Sequence, residues 1–324
     1  MRGDFTKKRG KDEMNERKTV SIVVPVFNEE DNIEHFALSI DDVMSKLPYE
    51  YELLFVDDGS RDRSREILRE LSKKNQRVKS IFLAKNYGHQ LALTCGLDNA
   101  DGDAVITMDG DMQHPPELMP IMLDKWESGC EVVQTIREAT EGVSAFKRIT
   151  SGGYYKILNL LSDVPIREGG SDFRLMDRKV VLAFRRYPEH ARFIRGMVGA
   201  MGFRQTTLNF VAPKRFAGVS KFSLKKMARF ALDGILAYST VPLRLAFYVG
   251  LLCGLISIIL LIHVLAAKLQ GDAVAGWATI VVCTLFFGGI ELVFMGIIGE
   301  YIGRIFEEVK RRPLYLVAKE KDDE

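Results

Sequence analysis

Cysteine is scarce: Cys95, Cys130, Cys253 and Cys283 are the only four in 324 residues, and no pair has C-x-x-C spacing. That scatter excludes a zinc ribbon or a disulfide framework and fits a reducing compartment. Excess charge of one sign is also missing. With 45 Lys and Arg against 43 Asp and Glu the chain carries +2, so no basic signature points to nucleic acid, and none is expected as a partner. Neither glycine-rich phosphate signature is present: no G-x-G-x-x-G and no G-x-x-x-x-G-K-[ST]. Where a dinucleotide fold would turn on glycines, this chain reads Val26-Phe27-Asn28-Glu29-Glu30. Residues 1–18 are charged and lack the apolar stretch of a signal peptide, so they read as a disordered basic tail in the cytosol.

Long hydrophobic runs occur only in the last third. Leu245 to Ala267 contains no Asp, Glu, Lys or Arg and is bracketed by Arg244 and Lys268. At about 1.5 Å per residue it can cross a hydrocarbon core of about 30 Å. A second run begins at Ala273 and continues past Glu291 to Ile298. Basic residues cluster before the first run (Lys221, Lys225, Lys226, Arg229, Arg244) and after the second (Arg304, Lys310, Arg311, Arg312). The positive-inside rule then places both termini in the cytoplasm, with two spans in the plasma (inner) membrane. Between Ser220 and Tyr238, Lys221, Lys225 and Arg229 recur at i, i+4 beside an apolar stripe of Leu224, Met227, Ala231, Ile235 and Tyr238. This is the pattern of a helix lying in the interface; Phe146 to Leu161 shows a weaker version.

The first 140 residues alternate strand and helix: strands at 19–27, 51–56, 79–84, 104–109 and 130–136, helices at 30–46, 62–74, 89–99 and 115–128. Such alternation predicts an α/β fold, a parallel sheet covered on both faces. Ligands in such sheets bind beyond the carboxyl ends of the strands. Pro25 to Glu29, Asp57-Asp58 and Asp109-Gly110-Asp111 all fall there. If the fourth strand stays pleated through Gly110, Asp109 and Asp111 share a face. Paired carboxylates require a cation, and Mg²⁺ typically takes one or two carboxylates plus phosphate oxygens. Asp111, with Asp109 or Gln113, would therefore suit a metal-bound diphosphate.

The ordered set VPVFNEE, VDDGS, MDGDMQHPPE, GGSDFRLMDR and KRFAGVSKF, followed by two hydrophobic spans and GEYIGRIFEEVKRRP, resembles the family 2 glycosyltransferases that load a sugar onto a polyprenyl phosphate. The branch it looks most like is the bactoprenol glucosyltransferases, and more distantly dolichol-phosphate mannose synthase; the likeness runs from about Thr19 to Pro313. It implies a GT-A-type, Rossmann-like nucleotide-sugar domain at 19–219, an amphipathic juxtamembrane segment at 220–243, two transmembrane helices within 244–303 and a cytosolic tail at 304–324. Carried over position by position, it implies that Pro25, Phe27 and Glu29 hold the donor's base and ribose, and that Asp57 reads the nucleoside. Asp109, Gly110 and Asp111 form the DxD-type motif, with Asp109, Asp111 and Gln113 toward Mg²⁺ or Mn²⁺. Arg137, Arg215 and Lys221 surround the phosphates of donor and acceptor, and Asp172 is the proposed catalytic base. Gly110 stands where many relatives carry Ala and would loosen the turn. His89 and His114 read as structural or surface residues.

The implied reaction is inverting transfer of one sugar, glucose from UDP-glucose, to undecaprenyl phosphate, by a homo-oligomer for which a tetramer is the family-based expectation. A lipid phosphate monoester is largely anionic at neutral pH, its second pKa being about 6. A strong base is hardly needed, so orienting the acceptor is as physical a duty for Asp172 as proton abstraction. A processive polysaccharide synthase would carry Q-x-x-R-W and more spans. A non-catalytic nucleotide-sugar-binding membrane protein would show decay of the metal motif or the basic cluster, and both are intact.

Overall fold

The computed structural model describes residues 17–138, 170–211, 240–269 and 276–318. Seven strands form one sheet: β1 (Thr19–Val26), β2 (Glu50–Asp57), β3 (Val78–Phe82), β4 (Ala104–Thr107), β5 (Val132–Arg137), β6 (Gly170–Asp177) and β7 (Gln205–Phe210), in the order β3-β2-β1-β4-β6-β5-β7. Helices α1 (Ile33–Met44), α2 (Ser64–Lys74), α3 (His89–Asn99), α4 (Met119–Glu127), α5 (Arg178–Phe184) and α6 (Ile194–Ala200) follow the strands. β1 is apolar along nearly its whole length because both its faces are covered. Val20, Ile22 and Val24 pack with Phe36, Ile40 and Phe55 in one core, while Val23 faces Leu93, Leu97 and Met176 in the other. Each such side chain contributes about 1.5–3 kcal/mol on burial. Gly96 marks the tightest contact between α3 and the sheet, since a Cβ there would lie 2.1 Å from Val23 Cγ1.

Strand direction departs from the wholly parallel expectation. β6 runs antiparallel to both neighbours, β4 and β5, whereas β1, β2, β3, β4, β5 and β7 run the same way. β4 and β5, consecutive in the chain, are thereby separated in the sheet. A side-chain period of two reports which face is buried and is blind to direction. β4 also stops early, at Thr107, so Asp109 and Asp111 lie on a turn rather than a pleat, with Met112 at φ 61°. Pro25 is accommodated because the ladder to β4 ends at Val23 and Thr107; its missing N–H falls past the last partner on that side.

Two long helices follow, α7 (Val241–Leu269) and α8 (Trp277–Lys310). Each contains a segment long and apolar enough to cross a bilayer, Val241–Leu260 and Phe286–Lys310. Their apolar side chains face outward: Phe247 is 67% and Leu292 67% exposed. Beyond α8 the chain returns to the sheet. Leu83 and Val317 form an antiparallel bridge, Ala84 N–H donates to Leu316 O and Ala318 N–H to Phe82 O, so the tail covers the free edge of β3. The interfacial helix expected at Ser220–Tyr238, its weaker counterpart at 146–161, and Arg215 and Lys221 lie outside the described residues.

Candidate active site

Three strand ends build one crevice. After β1, Asn28 turns at φ 55°, its N–H donating to Ser60 Oγ at 2.9 Å and its Oδ1 accepting from Arg61 N–H at 2.8 Å. Glu29 N–H donates to Ser64 Oγ at 3.0 Å. The loops after β1 and β2 are therefore stitched together. Gly59, at φ 72°, allows the second loop to pass under the β3–α3 connection, where a Cβ would lie 2.6 Å from both Asn86 N and Lys85 C. Asp58 accepts from the N–H groups of Tyr87 and Gly88 at 2.7 and 2.9 Å, which sets the start of α3 and hence His89.

The resulting cavity, of about 600 Å³, is lined by Pro25, Phe27, Glu29, His89, Asp109, Gly110, Asp111, Asp172 and Arg195, among others. Seven residues named from the sequence meet here. Phe27 is 37% exposed on the rim, a position from which a ring can stack on a base. Three others stand apart from the lining. Asp57 is fully buried beneath it, its carboxylate accepting from Ser60 N–H at 3.1 Å and paired with Arg65 Nε at 2.7 Å. Gln113 and Arg137 meet each other, Arg137 Nη1 donating to Gln113 Oε1 at 3.0 Å. Gly110 has no positive φ, and a Cβ there would find Val24 Cγ1 at 3.4 Å, an ordinary contact.

Asp172 sits on β6 with 6% exposure, inside a cationic cage. Arg195, from α6, meets it through two contacts, Nε to Oδ1 at 2.9 Å and Nη2 to Oδ2 at 3.0 Å. Arg174 Nη2 donates to Oδ1 at 2.9 Å and Gln90 Nε2 to Oδ2 at 3.3 Å. Burial would raise this carboxyl's pKa. The hydrogen bond from His89 and the charges of Arg195 and Arg174 outweigh burial and hold it well below the usual carboxylate range. Arg174 is fully buried, with Nε and Nη1 making no hydrogen bond among the described residues. Desolvation lowers its pKa to about 10, partly opposed by Asp172.

Of the two histidines read as structural or surface residues, His114 is structural, while His89 stands on the crevice wall. His89 Nε2 is 3.4 Å from Asp109 Oδ1 and 3.4 Å from Asp172 Oδ2, with 42% of its side chain accessible from the crevice. Desolvation pushes its pKa down, but the hydrogen bond to Asp172 and the charges of Asp109 and Asp172 raise it to about 9. His114 is buried and stacks on Phe173 with ring centroids 5.2 Å apart. Its Nδ1 accepts from Asp109 N–H at 2.9 Å and its Nε2 lies 2.7 Å from Ser171 Oγ. Burial lowers its pKa, so the neutral ring carries its proton on Nε2 and fixes the turn that presents Asp109.

The crevice thus brings an acidic turn and a caged carboxylate together beyond the strand ends, where ligands of such sheets bind, and the sequence comparisons identify the family. Residues 21–183 match the profile of glycosyl transferase family 2, and residues 241–305 match the GtrB C-terminal hairpin. An uncharacterized glycosyltransferase of Bacillus subtilis, YkcC, is 46% identical over 92% of this chain and 93% of its own. This chain belongs to glycosyltransferase family 2. As a family member it is a glycosyltransferase with a GT-A-like mixed sheet. The SfII prophage-derived bactoprenol glucosyl transferase of Shigella flexneri is 38% identical over 93% of this chain and 97% of its own. A distant likeness joins it to the glucosyl-3-phosphoglycerate synthase of Mycobacterium tuberculosis solved with Mn²⁺, UDP-glucose and phosphoglyceric acid: 19% identity, 68% of this chain and 78% of that one, TM-score 0.43.

Sequence reasoning missed Arg195, Arg174, Gln90 and His89 as site residues. Only Arg174 had a local signal: two positions from Asp172 on a strand, it had to share that residue's face.

Proposed function

We propose that this glycosyltransferase moves one glucose from UDP-glucose to undecaprenyl phosphate on the cytoplasmic face of the plasma membrane, inverting the anomeric carbon and releasing UDP. The observation that carries this reading is the acidic turn on the crevice wall beside a caged carboxylate, in a chain similar over nearly its whole length to bactoprenol glucosyl transferases. Phe27 stacks the base, Pro25 and Glu29 hold base and ribose, and Asp57 supports the nucleoside end from beneath. Arg137, Arg215 and Lys221 offset the repulsion between an anionic donor and an anionic acceptor. Two apolar helices and a tail docked on β3 support a bilayer location with the catalytic domain and C-terminus on one side.

The donor set suits a hard divalent cation. Asp109 Oδ1 is buried and, among the described residues, accepts no hydrogen bond, with His89 Nε2 3.4 Å away, and Asp111 stands on the same cavity wall. Among the described residues no group of three or more His, Cys, Asp or Glu is placed to hold a metal ion by itself, so Mg²⁺ or Mn²⁺ here would need phosphate oxygens and water beside Asp109 and Asp111. Bound there, such an ion neutralises the diphosphate and makes the nucleoside diphosphate a better leaving group. Gln113 reaches it only by sharing the oxygen now facing Arg137.

Asp172 acts by position rather than as a strong base. Its proton affinity is suppressed by Arg195, Arg174 and His89, and the lipid phosphate already brings an anionic oxygen. The caged carboxylate orients Arg195 and His89 toward the reacting groups and faces the positive charge that develops at the sugar carbon. Transfer of radiolabelled sugar from a panel of UDP- and GDP-sugars into an organic-extractable lipid tests the proposal, with purified protein, undecaprenyl phosphate and Mg²⁺ or Mn²⁺. Label from UDP-glucose, lost with chelator and in Asp111→Ala, is the expected result. Folded protein that labels no lipid from any donor would sink it.

A further inference from the structure

A second and larger cavity, about 1290 Å³, lies where the end of α8 meets the segment between α5 and α6. Five arginines line it: Arg185, Arg192, Arg304, Arg311 and Arg312. The acids on its wall are already engaged. Glu308 accepts from His190 N–H at 2.8 Å, and Tyr315 donates its hydroxyl proton to Asp98 Oδ2 at 2.9 Å. Three of the arginines have evident partners as well: Arg185 donates to Leu97 O and Ala100 O, Arg192 to Tyr187 O, and Arg304 pairs with Glu300 at 3.3 Å.

Arg311 and Arg312 differ. Both are exposed, and neither guanidinium makes a hydrogen bond or close ion pair among the described residues. Arg311 also holds φ 48° at the C-terminus of α8, a left-handed position where glycine is the ordinary occupant and a long side chain is strained. An arginine kept there at a conformational cost, on the wall of a cavity rich in arginine, has a use other than ending the helix. The α8 residues on its wall, Tyr301 to Val309, form the last turns of the segment Phe286–Lys310, where Glu300, Arg304, Glu307 and Glu308 bring charge back into the helix, as expected where a span leaves the hydrocarbon for the headgroup level of a bilayer. The segment behind it is shared: His190, Ala191 and Arg192 face this cavity, while Phe193 and Arg195 face the donor crevice.

We infer that this arginine-lined cavity binds the phosphate headgroup of an anionic bilayer phospholipid, with Arg311 and Arg312 as its principal ligands, at a site separate from the sugar-transfer crevice. Guanidinium forks match phosphate oxygens in pairs, and arginine near a membrane surface adds to anionic lipid attraction. The site holds α8 and the α5–α6 segment at a fixed height over the bilayer. The inference rests on the membrane location proposed above.

The test uses the full chain carried into phosphatidylcholine nanodiscs containing phosphatidylglycerol, with retained lipid per protein counted by mass spectrometry. Arg312→Gln should hold phosphatidylglycerol roughly fivefold more weakly, and the Arg311→Gly/Arg312→Gln pair roughly 25-fold. Arg311→Gly relieves the left-handed backbone, so it should melt no lower than wild type while losing lipid; a merely structural arginine would leave lipid retention unmoved. Equal retention in wild type and the double variant overturns the inference. So does displacement of the lipid by inorganic phosphate at comparable concentration, which would mark a free-anion site, or preferential retention of added undecaprenyl phosphate, which would mark an acceptor site. Labelling of lipid by wild type in the transferase assay reports separately on the membrane-enzyme reading, so the two can fail independently.

Discussion

Arg195 grips Asp172 with two parallel contacts, Nε to Oδ1 at 2.9 Å and Nη2 to Oδ2 at 3.0 Å, across 23 positions of sequence. A forked cation on a nearly buried carboxylate fixes both the charge and the direction of that carboxylate, and a lysine cannot reproduce the fork. Arg195→Lys should therefore lower kcat about 10²-fold while the donor KM changes little. Steady-state kinetics with varied UDP-glucose checks this; an unchanged kcat would remove Asp172 and Arg195 from the positioning role.

The same pair sets a pH dependence of stability. Asp172 has a folded-state pKa below its unfolded value of about 3.9. Its contribution is therefore fully present above that value and is lost as pH falls through the depressed one. Urea denaturation should show wild type more stable than Asp172→Asn by a margin that is largest at about pH 5–6, narrowing below about pH 4 as Asp172 protonates and above about pH 6.5 as His89, whose pKa Asp172 helps to raise to about 9, loses its proton. Arg174→Ala, which leaves Asp172 buried without one of its cations, should cost about 3–5 kcal/mol by the same measurement at neutral pH.

Two glycines in the acidic loops should answer differently to the same substitution. Gly59→Ala forces a Cβ to 2.6 Å from backbone atoms at φ 72°, a cost of about 1–3 kcal/mol. Gly110→Ala meets nothing closer than 3.4 Å and should leave both melting temperature and turnover near wild type. Thermal melts of the two variants side by side decide it.

Cys95 is fully buried on α3, and desolvation pushes its thiol up to about 12, against a lowering contribution from Tyr315. As only the thiolate is nucleophilic, iodoacetamide at pH 8 should leave Cys95 unmodified in folded protein and label it once urea unfolds the domain. Peptide mapping by mass spectrometry reads the outcome; rapid labelling in the native state would contradict the packing described for α3.

Tyr315 ties the tail to α3 through its hydroxyl bond to Asp98 at 2.9 Å. Tyr315→Phe leaves that carboxylate without its donor and should cost about 1.5 kcal/mol. Hydrogen exchange at Ala84 and Ala318, whose N–H groups bridge tail and sheet edge, should quicken in the variant. No change at either amide would mean that the tail docks without Tyr315.

Much of the site was legible because its residues stand at strand ends. Pro25, Phe27, Glu29, Asp109, Gly110 and Asp111 follow apolar runs, and a parallel sheet brings such ends to one edge. The cage around Asp172 was not legible in this way. Arg195 and His89 come from helices 23 and 83 positions away, and nothing local in either helix announces a partner. Gln113 shows a second such case: the contact of its side-chain oxygen with Arg137, 24 positions away, is not announced by the residues around either.

By itself the sequence determined the alternation of strands and helices, the acidic turn after the fourth strand and the two apolar helices, since each is encoded in residues adjacent along the chain. Only the tertiary structure decided that β6 runs backward between β4 and β5, that Asp172 is held ionised by Arg195, Arg174 and His89, and that the tail beyond α8 closes the edge of β3. The reason is physical. Side-chain periodicity records which face is buried, whereas strand direction, a carboxylate's proton affinity and the pairing of an edge depend on which groups packing brings together in a low-dielectric interior from distant parts of the chain.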